Sequence, residues 1–431
     1  VYSRCFFALK YNHSEYTSGF VRSIREKTHV WQLTGDGRHD KNMKTVLFLV
    51  WKSFGNEFII EELEKRGFEI DFFDFPKDTE NTRNSIDLTE AIARRVLQTR
   101  PDFVFSFNYY PVAAIACKAC RTKYVSWVYD SPYILLYSQT ILYDTNRVFL
   151  FDSHEVEKLR GLGAEHVHYM PMGSAVEYYD TLEPTPEMHQ MYDSDVTFIG
   201  SMYSEQRQYL YHHLENVDEY TKGYLDGIMQ VQKSLYGIDV LEEALTPDII
   251  GRMQKVCPVQ ANGDGMETVA WSFANYFLAR KVTQMERREL LEALSERFQV
   301  KLFTPEKTPF LPKVDNMGRI DYYERAPYAM KCAKINLNIS LRSIHTGIPL
   351  RALDIMGCGG FLITNYQADF NEYFVPDEDY VFYDGKEDLL NLVEYYLEHE
   401  EERKKIAENG YRKVKELLSY GGQVDKILGM I

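Results

Sequence analysis

Apolar runs of strand length alternate with helix-like segments through most of this 431-residue chain, and this alternation limits the possible folds more than any other feature. The runs are continuous rather than interleaved with polar residues, as in strands that are covered on both faces of a sheet. In the first half of the chain they lie at residues 46–50, 68–73, 103–107, 124–127, 148–151 and 166–170. This succession predicts an α/β fold with an open, mostly parallel, doubly wound sheet.

A second series of strand-like runs follows a polar stretch that holds Pro184 and Pro186, a composition typical of a linker between domains. The runs of this series lie at residues 195–200, 299–303, 333–341 and 361–364. About a hundred helix-like residues separate its first two runs, although a simple crossover needs only about a dozen. The second domain is therefore predicted to contain a helical insertion.

These patterns divide the chain into parts. Residues 1–42 show no sustained period and are expected to form a loosely ordered extension ahead of Met43. The predicted parts that follow are an N-terminal Rossmann-like domain over residues 43–190, a second Rossmann-like domain over 191–411 with its insertion at about 205–295, and a C-terminal helix over 412–431 that returns towards the first domain.

Composition and charge exclude several classes of protein. With 45% hydrophobic and 26% charged residues, the chain has the make-up of an ordinary globular protein. Its formal net charge of −15 argues against a general nucleic-acid-binding surface, which would be basic. Its six cysteines are spread irregularly and do not suggest a disulfide framework, and no apolar run reaches the roughly 18 residues of a membrane span. We therefore expect a cytoplasmic protein with no transmembrane segment and no nucleic-acid partner.

A polar loop followed by a short helix, LRSIHTGIPLRALDIMGCGG, comes directly after the strand-like run 333–341. Pro349 suits the beginning of the helix, where a missing N–H group is tolerated. The unpaired N–H groups of a helix start attract anions, and Gly347 would let a ligand approach the backbone closely. This loop is the first candidate for a binding site.

Four side chains of this loop and helix have suitable chemistry. Arg342 or Arg351 could neutralise a diphosphate, and His345 could donate a hydrogen bond to it. Asp354, about one turn into the helix, could accept hydrogen bonds from a ribose. An equally open interpretation is a surface ion pair between Arg351 and Asp354, with glycines that only turn the chain.

The first domain offers one candidate acid, Asp130 in WVYDSP, directly after a buried strand. Partial burial would raise the pKa of its carboxyl group, so that it could take a proton from an acceptor hydroxyl. A turn or helix-cap role before Pro132 explains the residue at least as well. The loop after the first strand lacks G-x-G-x-x-G, and no Walker A pattern occurs, which argues against a nicotinamide-dependent enzyme and a P-loop kinase.

The segments TGIPLRALDIMGCGGFLITN, FNEYF and DLLNLVEYYLEHEEERKKIAENGYRKV resemble the C-terminal half of CgeB-like glycosyltransferases of the spore-maturation-protein type, within the GT-B superfamily. The similarity is most specific over about residues 326–415, and a weaker likeness extends back through TFIGS and WVYDSP to Met43. The resemblance implies GT-B architecture, in which two Rossmann-like domains face a cleft and the second domain binds a nucleotide sugar.

The resemblance also implies roles for individual residues. Related enzymes carry an E-x7-E element here, and Asp354 matches its second acid, which holds the donor ribose. Thr346 stands where the first Glu would be, which is a departure from the pattern. The glycine-containing loop at Gly200 and Ser201 would face the donor diphosphate, with Arg207 as the nearby basic residue.

The resemblance and the loop chemistry together predict a hexosyltransferase that moves a sugar from a nucleotide-diphosphate sugar, taken to be a UDP-sugar, to a hydroxyl group of a glycan, a lipid-linked or a protein acceptor. Because no D-x-D directly follows a predicted strand of the second domain, we expect a helix N-terminus and arginines, rather than a metal, to stabilise the departing diphosphate, and we expect no cofactor. Asp130 and His345 are the predicted catalytic residues. A nucleotide-sugar epimerase of the same fold and a non-catalytic sugar-nucleotide-binding or scaffold protein are the alternatives. The insertion is left open between acceptor recognition and homodimer formation.

Overall fold

The computed structural model describes residues 44–75, 82–205 and 208–431. The predicted extension over residues 1–42 and the candidate residue Arg207 lie outside the described residues. Two six-stranded parallel sheets organise the described part of the chain, which confirms the predicted pair of doubly wound domains.

The first sheet is formed by the apolar runs of the N-terminal half, and its neighbouring strands are all parallel. Its strands are β1 (Lys44–Val50), β2 (Phe68–Asp74), β3 (Phe103–Phe107), β4 (Lys123–Val128), β5 (Asn146–Leu150) and β6 (Val167–Tyr169), in the order β2-β1-β3-β4-β5-β6. The connecting helices are α1 (Asn56–Lys65), α2 (Ile86–Thr99), α3 (Pro111–Cys120) and α4 (Ser153–Gly161), with 3₁₀ turns at Ile134–Tyr137 and Gln139–Leu142. All residues of β3 are buried, as a continuous apolar run predicts.

The second sheet follows two short linker helices, α5 (Val176–Tyr179) and α6 (Pro186–Tyr192). Its strands are β7 (Ser194–Ile199), β8 (Val300–Phe303), β9 (Asp315–Asn316), β10 (Ala333–Asn338), β11 (Leu362–Asn365) and β12 (Val381–Tyr383). The order β12-β11-β10-β7-β8-β9 is the strand order of dinucleotide-binding sheets, read from the other edge. Strand order therefore reverses between β7 and β10, the point at which such sheets bind ligands.

Between β7 and β8 the described chain is helical. The elements are a 3₁₀ turn at Leu210–Leu214, α7 (Glu219–Lys233), α8 (Leu241–Ala244), α9 (Pro247–Val256), α10 (Val269–Ser272), a π-helical segment at Phe273–Leu278, and α11 (Ala279–Ser295). This helical segment contacts the first domain, because the Tyr276 hydroxyl accepts a 3.0 Å hydrogen bond from Ile134 N and donates one of 3.1 Å to Pro132 O.

The remaining helices flank the second sheet and lead back to the first domain. They are α12 (Ala326–Cys332), α13 (Leu350–Gly357), a 3₁₀ turn at Ala368–Glu372, α14 (Lys386–Glu398), α15 (Glu400–Leu417) and α16 (Tyr420–Gly429). The last helix starts later than the predicted residue 412, because α15 ends at Leu417 and the Ser419 hydroxyl caps a new helix through Gly422 N at 3.3 Å. Helix α16 lies against α1, where Arg66 Nε donates a 2.6 Å hydrogen bond to Asp425. Across the described residues, no helix has the length and apolar character needed to cross a bilayer.

Candidate active site in the interdomain cleft

Asp130 lies in the loop after β4, at the carboxyl end of the first sheet, and faces a cleft between the domains. Asn108, which follows β3, donates a 2.7 Å hydrogen bond from Nδ2 to Asp130 Oδ2, and its Oδ1 accepts one from Tyr129 N at 3.2 Å. Burial raises the pKa of Asp130 to about 6, although the Asn108 hydrogen bond and the charge of Arg280 act in the opposite direction. A carboxyl group with this pKa is suited to general-base catalysis near neutral pH.

The cleft beside Asp130 encloses about 360 Å³, part of it open to solvent, and all parts of the fold contribute to it. The first domain supplies Asp130 and Asp152, the insertion supplies Trp271 and Asn275, and the second domain supplies Ser343. The two domains touch at this point, because Ser131 Oγ donates a 3.0 Å hydrogen bond to Ser343 O. The two domains are therefore in direct contact beside this cleft in this conformation.

A polar contact next to this cleft holds the domains together. Asp152 caps α4 through His154 N at 3.1 Å and also accepts hydrogen bonds from His345 N at 2.7 Å and Thr346 Oγ1 at 2.8 Å. In the reverse direction, Ser153 N donates to Asp369 of the second domain at 3.0 Å. We call these six residues the interdomain latch: Asp152, Ser153, His154, His345, Thr346 and Asp369. Thr346 thus faces the first domain.

His345 lines a second cleft, of about 290 Å³, with Asp239 of the insertion and Gln367. Its ring stacks on that of His154 with centroids 4.5 Å apart, and its Nδ1 lies 3.9 Å from Asp239. The structure therefore does not place His345 among the residues that line the Asp130 cleft.

Gly347 faces the gap between the domains, but Phe151 and Asp152 of the first domain fill the space next to it. A Cβ atom at this position would lie 2.6 Å from the Phe151 carbonyl oxygen and 2.9 Å from Asp152 Cα. The helix itself, α13, begins at Leu350, with Pro349 as its N-cap residue. The sequence predicted that a ligand would approach the backbone closely at Gly347. In this conformation the backbone of the first domain occupies that place instead.

Arg351 occupies the point where the strand order of the second sheet reverses. Its guanidinium donates to Ile199 O at 2.7 Å, after β7, and to Asn338 Oδ1 at 2.9 Å and Ile339 O at 3.1 Å, at the end of β10. Burial, followed by the charge of Arg287, lowers the pKa of Arg351 to about 9. Both guanidinium groups lie against one aromatic ring, at 4.9 and 5.1 Å from the Phe198 centroid. Two neighbouring buried cations favour an anion nearby.

Asp354 is buried, with 2% of its surface exposed. Its carboxylate accepts hydrogen bonds from the hydroxyl groups of Ser174 at 3.1 Å, Tyr179 at 3.0 Å and Tyr322 at 2.8 Å. Burial raises its pKa to about 7, although the three hydroxyl groups oppose the rise. In this conformation the carboxylate has no free surface for the predicted contact with a ribose.

Arg342 is bound within the protein rather than directed at a ligand. Its guanidinium pairs with Glu286 of α11 through two hydrogen bonds of 2.9 Å. It also donates to the carbonyl oxygens of Leu235 and Lys233, and it lies over the Tyr236 ring at 4.1 Å. These bonds fix the insertion to the second domain, so the predicted diphosphate contact does not fit Arg342.

The loop after β7 begins with Gly200, where a Cβ atom would lie 2.5 Å from Arg351 Nη1. The next N–H groups are turned towards a carboxylate, because Glu306 accepts hydrogen bonds from Met202 N at 2.9 Å and Ser204 N at 3.1 Å. The Ser201 hydroxyl donates to Glu306 as well, at 3.4 Å. The loop predicted to bind a diphosphate therefore holds an anionic group of the protein itself.

Sequence reasoning missed the arginines of α11. Arg287 donates hydrogen bonds to Ser201 O and Ile339 O. Arg280 lies seven residues, or about two turns, earlier on the same helix. Neither stands in a recognisable motif, and the spacing of seven residues is the only pattern that could have drawn attention to them.

Among the described residues, the His189, Asp193 and Cys332 ligand atoms lie within 4.8 Å of one another, but they stand at the amino ends of β7 and β10, away from the cleft.

Comparison with known proteins agrees with this layout. Residues 280–429, about a third of the chain, match the family model described as glycosyl transferase-like. No sequence among the curated proteins matches the chain. Sucrose-phosphate synthase from Thermosynechococcus elongatus superposes with a TM-score of 0.51 at 11% identity, over 90% of this chain and 98% of that one. Anabaena HepE in complex with UDP-glucose gives 0.51 at 12% identity, over 89% and 98%. The fold of the chain is GT-B.

Proposed function

We propose that this protein is a glycosyltransferase that moves a sugar from a nucleotide-diphosphate sugar, most simply a UDP-sugar, to an acceptor hydroxyl group. The observation that carries the proposal is the cleft in which Asp130, with a pKa raised to about 6, meets residues of the second domain and the insertion. In addition, the glycosyl transferase-like segment supplies α11 and the sheet end that holds Arg351.

In the proposed reaction the acceptor hydroxyl gives its proton to the Asp130 carboxylate as its oxygen bonds to the anomeric carbon of the donor sugar. The bond between that carbon and the diphosphate oxygen breaks, and the diphosphate leaves with the bonding electron pair. Asn108 would hold Asp130 in place through its 2.7 Å hydrogen bond. Fixed positive groups at the leaving oxygen lower the barrier because they need no reorganisation during the reaction.

The departing diphosphate would bind at the end of β7, beside Arg351 and Arg287. Burial, followed by the charge of Arg287, lowers the pKa of Arg351, and a bound anion would relieve the repulsion between these two cations. We further propose that no metal is needed, since guanidinium groups can supply the charge, and that the enzyme is of the CgeB-like, hexosyl-transferring type. Addition of EDTA should then leave the transfer rate unchanged.

The experiment is a thermal-shift panel of UDP-, GDP-, ADP- and dTDP-sugars, followed by measurement of nucleoside diphosphate release with and without glycan acceptors. A donor at about a hundred times its Kd should stabilise the protein by about 2.7 kcal/mol. Transfer that depends on the acceptor supports the proposal. Conversion of the donor without an acceptor would indicate an epimerase, and binding without turnover would indicate a scaffold protein; either result overturns it.

A further inference from the structure

The helical insertion enters the interdomain cleft at an unusual piece of backbone. Residues Phe273–Leu278 form a π-helical segment between α10 and α11. Such segments are rare and are found frequently at functional sites. Residues before and within this segment reach the cleft, because Trp271 and Asn275 line the space next to Asp130. Arg280 follows two positions after the segment ends.

Arg280 is placed between the two domains. Its Cζ lies 5.4 Å from the Tyr276 ring centroid, on the insertion, and 5.9 Å from that of Tyr203, in the loop after β7. Its charge lowers the pKa of Asp130 in the first domain, although burial dominates the value of that pKa. The guanidinium is therefore close both to the candidate base and to the loop at the end of β7.

Two nitrogen atoms of this guanidinium, Nε and Nη1, are buried without a hydrogen-bond acceptor among the described residues. Its neighbours Arg287 and Arg351, in contrast, donate to backbone or side-chain oxygens. Leaving buried N–H groups of a cation unbonded is unfavourable, so the site lacks an acceptor that a bound molecule can supply. A cationic guanidinium whose N–H groups have no acceptor fits an oxyanion such as phosphate better than a neutral hydroxyl group.

We infer that Arg280 binds a phosphate oxygen of the donor's diphosphate group, so that the helical insertion completes the donor site. The inference rests on the proposed function, and it gives the insertion a role that the sequence left open. The same oxyanion chemistry could come from a phosphorylated acceptor, and the experiment separates the two sources.

The test measures binding by calorimetry with UDP, GDP, ADP and dTDP, and then compares variants with the diphosphate that binds best. Arg280→Ala should weaken diphosphate binding at least tenfold and leave binding of the matching nucleoside unchanged. Arg280→Lys, which keeps the charge but loses the guanidinium N–H groups, should bind the diphosphate with an affinity between those of Arg280→Ala and the unmodified protein. The matched control is Arg288→Ala, because Arg288 is an exposed arginine on the same helix.

The outcomes separate this inference from the proposed function. Diphosphate binding to Arg280→Ala as tight as to the unmodified protein overturns the inference, while acceptor-dependent transfer still stands. If Arg280→Ala keeps its diphosphate affinity and shows a raised KM only for phosphorylated acceptors, Arg280 binds the acceptor. That result overturns the inference as well. Absence of any diphosphate binding by the unmodified protein contradicts the proposed function itself. A melting temperature of Arg280→Ala equal to that of Arg288→Ala shows that a loss of binding is not a loss of folding.

Discussion

The side-chain amide of Asn108 donates a 2.7 Å hydrogen bond to the carboxylate of Asp130. The two residues follow neighbouring strands, β3 and β4, so the sheet itself sets their separation. The bond favours the charged form of the carboxyl group and lowers its pKa, against the larger effect of burial. Asn108 therefore controls the pH at which Asp130 can act as a base.

The pH dependence of transfer tests this relationship. Asp130 must be ionised to accept a proton, so kcat/KM should fall as the pH drops through about 6, the pKa of this residue. Removal of the hydrogen bond in Asn108→Ala should move that limb of the profile to higher pH. At pH values well above 6, where Asp130 is ionised, Asp130→Asn should lower kcat by about 10²–10⁴-fold. An acidic limb in Asn108→Ala at the same pH as in the unmodified enzyme would contradict the role given to the pair.

Gly347 provides a steric test of domain closure. An added Cβ would meet backbone atoms of Phe151 and Asp152, which cannot move as a side chain can, so Gly347→Ala should force the interdomain latch apart. We expect kcat/KM to fall at least tenfold and small-angle scattering to show a larger radius of gyration. The control is Gly223→Ala in α7, where no atom lies within 4 Å of the added Cβ. Unchanged activity and size in Gly347→Ala would show that the closed contact is not needed.

Much of the fold could be predicted from the sequence, because strands covered on both faces are continuous apolar runs and need no knowledge of their partners. The placement of Asp130 after β4 follows from the same rule. Gly347 shows the limit: a glycine marks a close approach, but the pattern cannot tell a ligand from the backbone of another domain. Likewise, the pairing of Arg342 with Glu286 joins residues 56 positions apart, and only the packed insertion reveals it.

Asp354 should make the stability of the protein depend on pH. Its pKa is about 7 when folded, against about 3.9 for an exposed Asp, so the folded state holds this proton more tightly. The stability is therefore greatest below about pH 4 as far as this group is concerned, and it decreases as the pH rises towards 7. Asp354→Asn, which stays neutral, should remove this decrease and stabilise the protein at pH 8 by about 1–4 kcal/mol.

Denaturant unfolding of Asp354→Asn and of the unmodified protein at pH 5 and pH 8 measures this difference. The exposed Asp226 supplies the control, and Asp226→Asn should follow the unmodified protein at both values. If Asp354→Asn loses stability equally at both pH values, the hydrogen bonds from Ser174, Tyr179 and Tyr322 require the carboxylate, and the assigned cause is wrong.

Glu306 should compete with the donor for the loop after β7. Its carboxylate accepts hydrogen bonds from the N–H groups of Met202 and Ser204, which are the kind of backbone donors that bind phosphate. Burial, followed by the neighbouring Glu306, raises the pKa of Glu205 to about 7. A diphosphate at this loop must displace Glu306 and meets its negative charge.

Glu306→Gln removes that charge, so calorimetry should show nucleoside diphosphate binding about tenfold tighter. Glu296→Gln, in which another glutamate on the same domain loses its charge, should bind as the unmodified protein does. Weaker binding in Glu306→Gln would mean that the carboxylate holds the loop in its binding shape, because a competitor and a support change the affinity in opposite directions.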